Sequence, residues 1–181
     1  MQNLSKFPTK IYSPRLTLSV IKPTQQNAEI IFNIIEQNRD YLTAWQGHFG
    51  ELTSVDKVLK KLEHRYNQIQ KNECILFGIY KGDELIGRIR FFHIEKNECE
   101  IGYWLIQSAN GNGYISEALN TLENELFKFG FNKIILDIDK GNIKSETVAK
   151  QNGYKLEKIL PMASWAKCVG KCDSMIYVKY K

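Results

Sequence analysis

The sequence predicts a mixed α/β fold (α+β): a central sheet of about seven strands, antiparallel in its N-terminal half, with helices packed against it. Two observations predict it. Short apolar runs and longer stretches of helical periodicity alternate in the order β-α-α-α-β-β-β-α-β-α-β-β. One strand, ending near Ile106, is reached through hairpins, whereas the next, Lys133–Asp139, is reached through a helix. A helical crossover returns the chain in the same direction, so these two strands should be parallel neighbours.

The elements follow in order. Arg15–Ile21 alternates polar and apolar residues before Pro23 and reads as the first strand. Thr24 caps a helix to about Asn38 with Ala28, Ile31 and Ile35 on one face. Asp40 starts a short helix through Trp45, and Gln46–Leu52, with two glycines and His48, reads as a loop. Thr53 and Asp56 resemble a capping pair ahead of a long helix to about Gln70, marked by Val55, Val58, Leu59, Leu62, Tyr66 and Ile69. Cys74–Tyr80 and Leu85–Ile94 form a hairpin about Lys81-Gly82-Asp83-Glu84, and Glu95–Glu98 turns the chain into Cys99–Ile106.

The helix after the glycine turn at 111–113 places Ile115, Leu119, Leu122 and Leu126 at helical spacing and stops at Gly130. Lys133–Asp139 is a strand. Gly141-Asn142 opens a helix through Gln151, with Gly153 ending it. Tyr154–Leu160 and Ser174–Tyr180 are strands, and Pro161–Cys172 reads as a loop between them.

A length of 181 residues suits one domain, here taken as residues 1–181, with a core of its own. No apolar run approaches the roughly 20 residues that span a bilayer. Met1–Lys6 lacks the apolar centre of a signal peptide, so a cytoplasmic protein with no membrane association is expected. The formal charge of +5 suits anionic ligands but is too small to argue direct nucleic-acid binding. Cys74 and Cys99 lie in apolar strands and read as buried thiols. Cys168 and Cys172 are four apart with no histidine near, so no metal site is expected.

The stretch Glu100–Leu119 passes from strand through two glycines, one residue apart, into a helix. Main-chain N–H groups at such a turn and in the first helical turn lack internal partners, and the helix dipole favours negative charge there. Glycines admit positive φ and let a ligand approach the backbone. A phosphate-bearing ligand held by main chain is the first inference. A nucleotide P-loop is a poor match, because its Gly-Lys-Ser/Thr ending is absent.

Glu100-Ile101-Gly102-Tyr103-Trp104-Leu105, Asn110-Gly111-Asn112-Gly113-Tyr114 and Glu117-Ala118-Leu119 together resemble the acetyl-CoA signature of the GNAT N-acetyltransferases. Asn142-Ile143-Lys144-Ser145 and Asn152-Gly153-Tyr154 are similar to later elements of that family. Arg15-Leu16-Thr17-Leu18 fits its RimJ/RimL group, which acetylates N-termini of ribosomal proteins. The resemblance spans about Arg15 to Tyr180 and implies helices on both faces of the sheet, with the parallel pair splayed at the acetyl-CoA site. It implies direct transfer of acetyl from acetyl-CoA to a primary amine, the N-terminal amine of a ribosomal protein above all, by a monomer or homodimer without a metal.

On that resemblance, Asn110, Gly111, Asn112, Gly113, Tyr114 and Ile115 hold the pyrophosphate by main chain, and Asn142 contacts the cofactor. An N–H near Leu105 or Ile106 polarises the thioester carbonyl. Ser145 acts as acid toward the departing thiolate, and Glu100, which shares a strand face with Gly102 and Trp104, as base. His48, His64 and His93 are rival bases. Tyr41, Trp45 and Phe49 lie where the family builds its acceptor wall. Two positions depart from the pattern. Ser108 stands where Gln or Arg is usual, and Met162-Ala163-Ser164 where RimL-like proteins can carry a glutamate. Two other readings remain: a small-amine or polyamine acetyltransferase, using Glu95, Glu98 and Glu100, and a non-catalytic acyl-CoA sensor.

Overall fold

The structure, a computed structural model, describes residues 3–181. Met1 and Gln2, part of the N-terminal segment read for a signal peptide, lie outside the described residues. Among the described residues one eight-stranded sheet organises the chain. Its strands are β1 (Lys10–Tyr12), β2 (Thr17–Val20), β3 (Ile75–Lys81), β4 (Glu84–Glu95), β5 (Glu98–Leu105), β6 (Lys133–Asp139), β7 (Lys155–Ala166) and β8 (Gly170–Tyr180). They lie in the order β1-β2-β3-β4-β5-β6-β8-β7. Each neighbouring pair is antiparallel except β5–β6, the pair joined by the helical crossover.

Five helices cover the sheet: α1 (Gln25–Gln37), α2 (Arg39–Trp45), α3 (Val55–Gln70), α4 (Tyr114–Phe129) and α5 (Ile143–Gln151). The expected helical stripes are the buried ones. Ala28, Ile31 and Ile35 of α1 meet Val58 and Leu62 of α3 over Leu76, Leu85 and Trp104. On the other face Ala118, Leu119, Leu122 and Leu126 of α4 pack on Phe77, Ile89, Phe91 and Leu136. Strand β3 is therefore buried on both sides, as its unbroken apolar run anticipates. No helix among the described residues is long and apolar enough to cross a membrane.

Three local expectations are corrected. The sheet has eight strands, because Lys10–Tyr12 pairs with β2. Only Ile11 of that strand is buried, so three residues leave no periodicity to read. The cap of α3 is Ser54, whose side chain accepts from the Lys57 N–H, while Thr53 Oγ1 accepts from Lys57 Nζ. The segment Pro161–Cys172 is not a loop but the tip half of a long hairpin between β7 and β8. Pro161 is tolerated because β7 is the edge strand, where a missing N–H breaks no ladder, and because the register shifts between Leu160 and Ser164, with Met162 at φ 52°.

Candidate active site

The site begins where the parallel pair separates. Strands β5 and β6 pair only from Glu98–Glu100 against Lys133–Ile135. Beyond that point β5 stays bonded to β4 as far as Leu105 opposite Gly87, and β6 to β8 as far as Asp139 opposite Ser174. The facing edges of Ile101–Leu105 and Leu136–Asp139 diverge, and β5 is left with main-chain groups turned into a gap. The Ile106 N–H is not among them, since it donates to the Ile86 carbonyl at 2.9 Å. Strand alternation puts the Leu105 N–H on the opposite edge, toward the gap. The Tyr103 carbonyl accepts from Gln46 Nε2 at 3.1 Å, which ties the α2 end to the same edge.

Two clefts meet at this gap. The smaller, about 340 Å³, runs between α2, β5 and the N-terminus of α5. It is lined by Tyr41, Leu105, Asn110, Ile115, Asn142 and Ser145 among others. The larger, about 590 Å³, opens between α3, β4, β5 and β6 and contains Glu100. Trp45, Gln46, Tyr103, Trp104, Asn142 and Ser145 line both, so a group entering from either side reaches Ser145 and Tyr103.

At the far end of the smaller cleft is the glycine turn. A 3-10 turn, Gln107–Ala109, leads to Asn110, and Gly111 and Gly113 take φ of 78° and 74°. Asn110 Nδ2 donates to the carbonyls of Ile106 and Gln107, and Asn112 Nδ2 to those of Ala109 and Asn110. Both asparagines thus brace the turn. No side chain caps α4, whereas Thr24, Ser54 and Asn142 cap α1, α3 and α5. The first intrahelical bond reaches back from the Glu117 N–H to the Gly113 carbonyl, leaving the N–H groups of Tyr114, Ile115 and Ser116 in the open first turn. The turn thus presents unpaired main-chain N–H groups at the positive end of a helix dipole, the arrangement that favours an anion.

Sequence reading left the role of Arg15 at a family likeness, and its contacts are specific. Its Nε pairs with Glu117 Oε2 at 2.6 Å, its Nη1 donates to the Asn112 carbonyl, and its guanidinium lies 4.7 Å from the centre of the Tyr114 ring. Burial alone would raise the Glu117 pKa, but the Ser13 hydroxyl, the Arg15 N–H and the Arg15 guanidinium hold it below the usual carboxylate value. Tyr114 packs into the core, so its side chain supports the turn.

Asn142 caps α5, its Oδ1 accepting from the Ser145 N–H at 3.3 Å, and this fixes Ser145 on the first helical turn. The Tyr103 hydroxyl is buried. Burial pushes its pKa up, and the Ser145 side chain is the polar neighbour that offsets this. The pair stands at the junction of the clefts.

Glu100 is partly buried, and burial raises its pKa above the ordinary 4.5 against the opposing pull of a 2.9 Å contact with His93 Nδ1. His93 occupies a bulge in β4 at φ 48°. His48 lines the larger cleft with its pKa pushed down to about 4, first by burial and then by Arg88, Lys61, Arg90 and Arg65. It is therefore neutral, and a weak base, at neutral pH. His64 is exposed on α3. Of the three early aromatics, Tyr41 and Trp45 line a cleft, while Phe49 is fully buried and meets Trp104 edge-on at 5.5 Å. Glu95 and Glu98 line neither cleft, and Glu98 lies 3.7 Å from Lys133 Nζ.

Several lining residues escaped sequence reading. Asp137 and Asp139 project from β6 and are held by the hydroxyls of Ser174 and Ser164. Arg88 and Arg90 project from β4, Lys61 and Arg65 from α3. The signal was present on β4, where Arg88 and Arg90 alternate with buried Ile89 and Phe91 inside an otherwise apolar strand. A pair of charges at that spacing marks a face that is neither core nor open surface.

The family model described as acetyltransferase (GNAT) domain matches residues 15–155. A ribosomal-protein-serine acetyltransferase of Escherichia coli strain K12 is 30% identical over 144 residues, covering 78% of this chain and 80% of that protein. The probable N-acetyltransferase YjcK of Bacillus subtilis strain 168 is 25% identical over 140 residues, covering 74% and 77%. Among solved structures, RimL, a ribosomal L7/L12 α-N-protein acetyltransferase in complex with coenzyme A, has a TM-score of 0.87 at 21% identity, covering 96% of this chain and 97% of that one. The microcin C7 self-immunity acetyltransferase MccE, in complex with acetyl-CoA and AMP, has a TM-score of 0.88 at 23% identity, covering 99% and 100%. At these identities the two structures establish a shared fold.

Proposed function

The chain belongs to the acetyltransferase (GNAT) family, and on that premise we propose that it transfers acetyl from acetyl-CoA to a primary amine, the N-terminal amine of a ribosomal protein being the preferred acceptor. One observation carries the reading: an uncapped helix N-terminus and the neighbouring side chains of Ser145 and Tyr103 lie at opposite ends of one cleft, and a second cleft opens at those same two residues. A cofactor with a pyrophosphate at one end and a reactive thioester at the other fits the first cleft. An amine approaches through the second.

Bound acetyl-CoA supplies the activated acetyl group. The main chain from Asn110 to Ile115 receives its pyrophosphate, with Arg15 and Glu117 holding the turn rigid. Asn142 lines the same cleft beside Ser145. The Leu105 N–H, turned into the gap, is the donor we assign to the thioester carbonyl, and Ile106 is set aside because its N–H is already bonded. The Ser145 hydroxyl donates a proton where the sulfur departs, with the Tyr103 hydroxyl beside it. Glu100, further along the larger cleft, accepts the proton leaving the amine through water, its raised pKa matching it to that role.

The resemblance to a ribosomal-protein-serine acetyltransferase supports a protein N-terminus as acceptor. We place the activity in one acetyltransferase domain spanning residues 1–181, working in the cytoplasm as a monomer or homodimer. A small amine is the second reading, favoured by the three carboxylates Glu100, Asp137 and Asp139 around the larger cleft. The test is a panel of amines offered with acetyl-CoA and followed by thiol release, with ribosomal N-terminal peptides beside spermidine. Turnover confined to peptides is expected. Turnover of spermidine alone would transfer the assignment to small amines, and acetyl-CoA binding without thiol release from any amine would leave a sensor.

A further inference from the structure

The larger cleft gathers four cations. Arg88 and Arg90 reach it from β4, and Lys61 and Arg65 from α3. Among the described residues none of the four makes an ion pair. Arg65 Nη1 donates to Gln68 Oε1, a neutral partner. Arg90 lies 3.8 Å from the centre of the Phe92 ring, and Arg88 lies 5.3 Å from Trp104 and 5.7 Å from Phe49. Arg88 Nε is buried without a hydrogen-bond partner.

Gathering like charges in a half-enclosed cleft is unfavourable unless something compensates it. Aromatic faces compensate in part. The cost is visible in the groups themselves. Burial first, then Arg90 and Arg65, depress Arg88 to about 10, and burial first, then Arg88, Lys61, Arg90 and Arg65, lower His48 to about 4. Opposite this wall stand Glu100, Asp137 and Asp139. The cleft is therefore bipolar, with carboxylates toward β6 and cations toward α3.

We propose that the acceptor carries an anionic group, a carboxylate or a phosphate, near the amine that is acetylated, and that Arg88, Arg90, Arg65 and Lys61 hold it. This rests on the reading that the larger cleft takes the acceptor amine. The register sets the distance. Phe92 pairs with Glu100, Arg90 with Gly102 and Arg88 with Trp104. Leu105, whose N–H is assigned to the thioester carbonyl, pairs with Gly87, so at about 3.4 Å per residue Arg88 lies roughly 3 Å and Arg90 roughly 10 Å along the strands from its level. An extended peptide whose amine meets the thioester at the level of Leu105 spans that interval in about one to three residues. An acidic side chain at position two to four meets the arginines. Gly102 keeps the path open: a Cβ there would touch Phe92 Cε1 at 3.4 Å and Arg90 Nε at 3.8 Å.

The test uses the purified full chain, acetyl-CoA and hexapeptides beginning with serine, neutral except for Asp, Lys or phosphoserine placed in turn at positions two to five. Ethanolamine and 2-aminoethyl phosphate form a small-molecule arm. Thiol release gives kcat/KM. A charge-assisted pair predicts an advantage of about tenfold or more for the Asp or phosphoserine peptide over its Lys counterpart at one position. A larger phosphoserine advantage assigns the anion as phosphate, a larger Asp advantage as carboxylate. Arg90→Glu should reverse the Asp-over-Lys ratio, and the wild-type series decides the question even where that variant fails to fold. If no peptide reacts but aminoethyl phosphate outpaces ethanolamine, the peptide acceptor falls and the anion site stands. Equal kcat/KM across charges in both arms overturns the proposal, and peptide turnover in that case leaves the acceptor assignment intact.

Discussion

Gly87→Ala tests whether the separation of β4 and β5 sets the geometry of the site. Gly87 lies opposite Leu105, the last paired residue of β5. A methyl group on Gly87 would sit 2.3 Å from the Trp104 carbonyl oxygen, 2.6 Å from Leu105 Cδ2 and 3.0 Å from Leu105 Cα. Ordinary contact begins near 3.4 Å, so the carbonyl alone asks for 3.4 − 2.3, or about 1.1 Å, of displacement. Two of the obstructing atoms are backbone, so the strand itself must move. Overpacking of this kind costs about 1–3 kcal/mol. At about 2–4 °C per kcal/mol for a chain of this length, a cost of about 2 kcal/mol lowers Tm by about 4–8 °C.

The same displacement carries Trp104 and Leu105, which line both clefts or the smaller one, away from Ser145. A misplacement of about 1 Å at reacting groups lowers kcat/KM by roughly a hundredfold. Differential scanning calorimetry and thiol release measure the two effects on one preparation. Gly50→Ala is the control, because its Cβ meets nothing closer than Thr43 Cγ2 at 3.9 Å. It should stay within about 0.5 kcal/mol of wild type. A Gly87→Ala protein that melts with wild type and keeps its kcat/KM would refute the reasoning.

Ser145→Ala should lower kcat by about a hundredfold while leaving the acetyl-CoA Kd, measured by calorimetry, little changed. An unchanged kcat removes the hydroxyl from the acid role. For Glu100 the sign follows from burial. Its pKa lies above 4.5, so the ionised form that accepts a proton is lost as pH falls through the raised value. The wild-type kcat/KM should climb with pH through an acidic limb above 4.5, and Glu100→Gln should abolish that limb. A limb that survives the substitution belongs to another group. The stability term has the opposite sense: the folded state holds this proton more tightly, so the stabilisation is full below 4.5 and is lost as pH rises through the folded pKa.

Much of the fold was legible because its signals are local. The buried stripe of α1, the cap at Thr24, the hairpin turn at Gly82-Asp83, the stop at Gly130 and the bounds of β6 each follow from a few adjacent residues. The β7–β8 hairpin was not legible in the same way. Pro161, Trp165 and Gly170 read as loop, and only the edge position of β7 makes Pro161 compatible with a strand. The glycine turn was found because positive φ and a free helix N-terminus leave marks in sequence. The brace from Arg15 was not, since Arg15 and Glu117 are 102 residues apart.

The sequence alone determined a strand, two glycines and a helix start, which through positive φ and a free first turn present main-chain N–H groups to an anion. It also determined which helical faces are buried, because hydrophobic periodicity is a property of each segment. Only the tertiary structure decided what gathers in the larger cleft. Arg88 and Arg90 on β4, Lys61 and Arg65 on α3, Glu100 on β5 and Asp137 and Asp139 on β6 share one cleft. Strand pairing and helix packing bring them there from four separate elements. Charge in a cleft is a sum over neighbours in space, and no local pattern in the chain encodes that sum.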